Sequence, residues 1–377
     1  MIINNNYTFL KAMGLLFLCS WVCCVDPVDI DLPPPQERMI VEGFISTDEP
    51  PYSVKVSLGF GLDAINPIGK PVEELSITLF DDSGESELLT ETIPGTYQTT
   101  GQIKGEIGKS YHIEIQTPSG ELFESEPDKL EPTGSVNDIR FQYNQGTQKT
   151  NYGEIPANVF EIFVDGDAGP NEVSFTRWNV VGTYEIVASP ELRTRRISVY
   201  RPIPIPPPCS GYVIRGCVGA TKVVYDSECT CCSCWVTDIE DKPQLSDNSL
   251  VANGQFRDVK VTEIPITAIT FHNKYKVEIE QMSMTRNAFE FFRLVRSQKE
   301  DSDNFFQPTF GEIAGNIKAI NNETAVTGIF WATQIARRST FLGRDDVPYL
   351  VPPMEIIPQD CRDAFPFSSN IKPDGWD

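Results

Sequence analysis

The chain has 377 residues, room for two domains with their own cores, and its acidic residues outnumber basic ones 53 to 31 for a formal charge of −22. A field of that sign repels phosphate backbones and anionic membrane surfaces, which excludes nucleic acid as the expected partner. Two histidines in the whole chain leave little material for hydrolytic acid–base chemistry.

The first element is the apolar run Ala12 to Val22, too short for the about 20 residues that span a bilayer. With Lys11 before it and Cys23-Cys24 after it, the run reads as a bacterial lipoprotein signal peptide over residues 1–23. Cys24 is the expected lipidation site, with Cys23 as the alternative and an ordinary cleaved signal as the competing reading. Residues 24–38 are acidic and then proline-rich, and form a tether. A membrane contact through the lipid anchor follows.

Strand patterns dominate from residue 39. Met39 to Ile45 is rich in residues that suit a pleated backbone, and Ser53 to Leu58, Leu75 to Leu79 and Tyr111 to Ile115 alternate polar with apolar. Asp81-Asp82-Ser83-Gly84 is a turn in which side-chain oxygens cap the bend and glycine takes positive φ. About seven short strands with turn signals between them predict an immunoglobulin-like or transthyretin-like sandwich over 39–130.

A larger β-rich domain is expected over 131–377. Val159 to Val164 and Val173 to Val187 read as strands, as do Val259 to Thr262, Tyr275 to Ile279, Val326 to Thr333 and Arg338 to Leu342. The prolines between Arg201 and Pro208 exclude a central strand, because proline lacks the amide donor. Thr285 can cap one amphipathic helix at about 286–299, with Ala288, Phe291, Phe292 and Val295 at helical spacing for packing onto a sheet.

The loop 201–235 is rich in cysteine: Cys209, Cys217, Cys229, Cys231, Cys232 and Cys234, with Cys361 further on. In an exported protein disulfides are the default, and six cysteines allow 15 pairings between which sequence does not choose. The spacings Cys229/Cys232 and Cys231/Cys234 also suit thiolate–metal or redox chemistry. A proline-rich approach and a Trp235-Val236-Thr237 exit favour a stapled loop, stiff enough to serve in recognition.

Other candidate chemistry is sparse. His112 sits on the polar register of its strand and reads as an exposed spacer, and His272 has no metal-ligand partner at a recognised spacing. Asp165 and Asp167 are a weak calcium candidate that a strand-connecting turn explains better. Asn322-Glu323-Thr324 matches a glycosylation sequon by chance in a bacterial lipoprotein. No nucleophile elbow or phosphate-binding glycine loop is present, so the chain is expected to be no enzyme and to hold no cofactor.

Several separate motifs then carry a resemblance: VDIDLP at 28–33, RMIVEGFIS at 38–46, GTY at 95–97, CW at 234–235, YKVEIEQMSMTRNAFEFFRLV at 275–295, AGNI at 314–317 and TGIFWAT at 327–333. Together they resemble the Bacteroidota outer-membrane lipoproteins of domain of unknown function 4249. The resemblance implies a place in the outer membrane, facing the cell surface. It also implies a non-catalytic binding or accessory role beside a TonB-dependent nutrient receptor. Structural or adhesive service in a surface assembly is the alternative, and metal- or thiol-dependent activity at the cysteines a second one. The cluster 229–234 is richer in cysteine than the family's single Cys-Trp, which leaves the pairing open.

Overall fold

A computed structural model describes residues 38–59, 69–150, 153–171, 174–198, 201–216, 221–240, 242, 244–301, 313, 315–321 and 323–376. The segment 1–23, the tether as far as Glu37, Cys23, Cys24, Cys217 and Asn322 lie outside the described residues. The protein is mainly β, built as packed sheets.

Period-two burial builds the first sandwich. Met39, Val41 and Ile45 of β1 (Arg38–Ser46) and Val54 and Val56 of β2 (Ser53–Gly59) point inward from one sheet. Ile77 and Leu79 of β3 (Ser76–Asp81), Tyr111, Ile113 and Ile115 of β4 (Ser110–Gln116) and Phe123 of β5 (Leu122–Ser125) face them from the other. Each such side chain, removed from water, contributes roughly 1.5–3 kcal/mol before entropy is counted.

The Asp81 turn forms as its sequence dictates. Its carboxylate accepts from Ser83 N at 3.0 Å and Glu85 N at 2.9 Å, and Gly84 takes φ 88°. A second buried carboxylate, Glu87, gathers the 100–103 loop by accepting from Ile103 N at 2.8 Å, Gly101 N at 2.9 Å and the Thr100 amide and hydroxyl. Burial works against ionising Glu87, but these donors outweigh it and hold its pKa below the ordinary glutamate value.

Neither sheet closes with local strands alone. Val326–Thr333 pairs in parallel with β1, Met39 opposite Val326 and Ser46 opposite Thr333. The short strand Ile317–Ala319 pairs with β5. Residues almost 300 positions apart therefore share one sheet, six strands on each side.

The second unit is another two-sheet packing. Strands β6 (Val136–Thr150) and β7 (Gly153–Asp167) form a long hairpin. The second sheet centres on β8 (Phe175–Val187), flanked by β9 (Ser233–Ile239). Strand β10 (Gln255–Pro265) joins β7, and β11 (Lys274–Met284) joins β8 on the side away from β9. Between the sheets Phe160, Ile162, Val164, Trp178, Ile186, Phe256, Phe271 and Ile279 form the core. Trp178, fully buried, donates its indole N–H to Gln281 Oε1 at 3.2 Å, so its polar edge is satisfied where it is dry.

After β11 comes α1 (Arg286–Asp301), the helix that the spacing predicts. Thr285 Oγ1 accepts from Ala288 N at 3.3 Å as its cap. Ala288, Phe289 and Phe292 bury against Leu245, Met282 and Met284 of the second unit and against Ile329 and Trp331 of β12 (Val326–Thr333). Strand β12 thus has two dry faces: Phe330 and Ala332 in the first sandwich core, Ile329 and Trp331 under the helix. Gly328 sits in it at φ 117°, and a Cβ there would lie 1.9 Å from the Val41 carbonyl oxygen. Through Gln334 the chain enters β13 (Ile335–Gly343), which pairs with β11 and completes the second sheet.

The joint between the units carries several polar links. Ser283 Oγ donates to Glu131 O at 2.5 Å and accepts from Gln334 N at 2.8 Å, and Gln281 Nε2 donates to Asp167 O at 2.8 Å. Asp128, 5% exposed, accepts from Thr285 Oγ1 at 2.5 Å and from Ala332 N at 2.9 Å. It links the first sandwich to the helix cap and to β12. Burial, only partly offset by those donors, pushes its carboxyl up to about 6.

Candidate recognition surface at the stapled end

The strand registers define two ends of the second unit. At the joint end, Phe175 opposes Met284. At the far end, Tyr184 opposes Tyr275, Val187 opposes Ser233, and Thr150 of β6 opposes Gly153 of β7. Strand β1 has the reverse sense: Ser46, opposite Thr333, lies at the joint, and Arg38 lies at the other end of the first sandwich. The chain's entry and the far end of the second unit are thus on opposite sides of the joint.

The far end carries the 188–232 excursion between β8 and β9, where apolar material runs short and covalent links take over. Disulfides join Cys209 to Cys231, Cys229 to Cys232 and Cys234 to Cys361, with Cα separations of 5.6, 5.7 and 5.9 Å. The last one anchors the tail at α2 (Cys361–Ala364), whose first amide donates to Cys231 O at 3.1 Å. Trp235 and Ser369 exchange backbone hydrogen bonds at 2.8 and 2.9 Å, and Ser189 N donates to Ile357 O at 2.8 Å. Gly211, at φ 74°, accepts from Asp226 N at 2.8 Å and Ser227 N at 3.1 Å; a Cβ there would meet Ser227 O at 2.1 Å. Six of the seven candidate cysteines are thereby paired in disulfides.

Two ribbons stand on this base. Among the described residues, Thr194–Ser198 pairs only with Arg201–Pro204, and Tyr212–Arg215 only with Lys222–Tyr225. The prolines at 202 and 204 occupy an isolated two-stranded ribbon, an edge position of the kind a missing amide tolerates. Leu192, Ile203, Ile214 and Tyr225 are exposed on the excursion, and Leu350, Ile356, Phe367 and Ile371 on the tail. Residues 191–204 hold four arginines against one glutamate, a local reversal in a chain of charge −22, with Arg193, Arg195 and Arg196 exposed. An apolar and basic surface on stiff supports can bind a partner.

The remaining candidates fall elsewhere. Asp165 and Asp167 share a face of β7, yet their carboxylates take separate partners. Asp165 accepts from Asp258 N at 2.6 Å and from Arg140 Nη2 at 2.9 Å, whereas Asp167 accepts from Ser135 Oγ at 2.8 Å. Backbone donation by Asp258 outweighs burial and, with Arg140, holds Asp165 below its ordinary value. His272 lies just after the buried Phe271, and its Nδ1 makes no hydrogen bond among the described residues. His112 is half-buried and stacked on Phe80, a contact that alternation along one strand does not reveal. The arginine ribbon escapes a motif search, although a window of local charge would have found it.

A family profile described as Domain of unknown function (DUF4249) matches residues 25–339. No curated protein and no solved structure matches the chain.

Proposed function

The chain belongs to the DUF4249 family, and from that premise we propose that it is a surface-exposed outer-membrane lipoprotein of Bacteroidota type, serving as a non-catalytic binding or accessory subunit of a TonB-dependent nutrient transporter. Lipidation at Cys24 holds the N-terminal side at the membrane. The single observation that carries the reading is the position of the disulfide-stapled surface, across the joint from the strand by which the chain enters. Such an arrangement presents exposed apolar and arginine side chains away from the anchor, where a partner can reach them. Loops held covalently lose less entropy on binding than free ones.

The test is native purification of the acylated chain from outer membranes. A β-barrel receptor is expected to copurify, and to be lost or strongly depleted in an Arg195→Glu/Arg196→Glu variant. Recovery of the intact protein with no barrel overturns the proposal. Failure of a Cys24→Ala variant to lose acyl label would remove its anchoring half.

A further inference from the structure

The outer face of the first sandwich holds a cluster that the proposed function leaves unused. His112 and Glu114 are two residues apart on β4 and so project from one face. Glu124 on β5 lies directly opposite Glu114 in the antiparallel register. Each side chain offers one donor atom, and the three atoms all lie within 4.8 Å of one another.

The protein's own groups leave this cluster unsettled. Like charges directly across a ladder are destabilising. Lys318 flanks Glu124 on its other side, but its ammonium goes to Glu126 at 2.5 Å. The imidazole is oriented by Phe80, with ring centroids 5.0 Å apart and planes 12° from parallel. His112 Nε2 stands 3.8 Å from Glu124 Oε1, beyond hydrogen-bonding reach. Two ligands held at ~2.0–2.1 Å by one tetrahedral ion sit roughly 3.3–3.4 Å apart, so a closure of about half an ångström turns this spacing into a shared coordination edge.

We propose that His112, Glu114 and Glu124 bind one divalent transition-metal ion, zinc by preference, with water completing the shell. Imidazole selects zinc-type ions over calcium, which prefers six to eight oxygen ligands. The two carboxylates neutralise the ion's charge, and strand pairing fixes the Cα positions of all three residues. The site stands independently of any transporter partnership, and a failed copurification leaves it untouched.

Isothermal titration of the purified full chain with zinc chloride, beside a calcium chloride titration, tests it. One zinc per chain is expected, weakened at least about tenfold in both His112→Ala and Glu114→Gln/Glu124→Gln. Zinc should also shift the His112 imidazole resonances. The substituted positions lie on the outer face of their strands, and unchanged circular dichroism identifies folded variants. Zinc binding that survives His112→Ala undiminished overturns the proposal, as does no binding at millimolar zinc. So does calcium binding as tight as zinc binding.

Discussion

The two ends of the second unit solve the same problem by different means. At the joint, β12 is dry on both faces, α1 covers one of them, and side chains such as Gln281, Ser283 and Asp128 satisfy the backbone that burial strips of water. At the far end, ribbons with both faces in contact with solvent bury little, and three disulfides hold what packing does not. A two-stranded hairpin alone is marginal in water. Covalent support appears where the hydrophobic contribution is small, which leaves the far end's side chains free for contact.

The comparison breaks most visibly if the joint loses its central aromatic. Trp331, 3% exposed, has ring contacts with Phe292 at 5.2 Å and Phe44 at 5.8 Å. Trp331→Ala is expected to destabilise the protein by ~3–5 kcal/mol in urea unfolding, through lost burial and the cavity left behind. A change below about 1 kcal/mol would mean that the joint does not hold the two units together.

Next in size is the Cys234–Cys361 bridge. Replacing both cysteines by serine is expected to cost ~2–4 kcal/mol. The loss should be local: limited proteolysis would cut the 347–376 tail first, while the first sandwich keeps its melting behaviour. Simultaneous loss of both units on mild reduction would contradict this division.

The joint also carries a pH signature at Asp128. Asp128 holds its proton more tightly folded than unfolded, its carboxyl lying at about 6 against 3.8. Its favourable contribution is therefore complete below about pH 4 and is lost as pH rises through about 6. The full span is on the order of 2–3 kcal/mol. Asp128→Asn, which can still accept from Ala332 N, should flatten stability between pH 4 and 6 and match or exceed the parent at pH 7. A variant that keeps the slope assigns the titration elsewhere. Glu87 has the opposite sign: its contribution is present above the ordinary glutamate range and disappears as pH falls through its lowered value.

The smallest stability effect belongs to the ribbon. Arg195→Ala/Arg196→Ala removes two exposed side chains and should shift unfolding by less than about 0.5 kcal/mol. Partner recovery from membranes should nonetheless fall, which separates a binding surface from a structural one. An equally large stability loss would place these arginines in the fold rather than at an interface.

Much of this was legible in sequence because it depends on near neighbours. Period-two alternation marks Ser53 to Leu58 and Tyr111 to Ile115, Asp81 to Gly84 contains its own turn chemistry, and Thr285 with Phe292 marks the helix. Composition also marked the stapled loop. It did not mark the partners: with 15 arrangements open for six cysteines, only the approach of the tail to β9 brings Cys361 to Cys234.

The sequence by itself determined the β character, the helix, the local turns and the concentration of cysteines, since strand alternation, capping and turn geometry act over a few residues. Tertiary structure alone decided that TGIFWAT at 327–333 would complete a sheet begun at residue 38, that Asp128 would be dry, and that His112, Glu114 and Glu124 would converge. The reason is the same each time. A local pattern says which face of a strand is apolar, and a parallel partner nearly 300 residues away is chosen only by which surfaces bury most completely against each other.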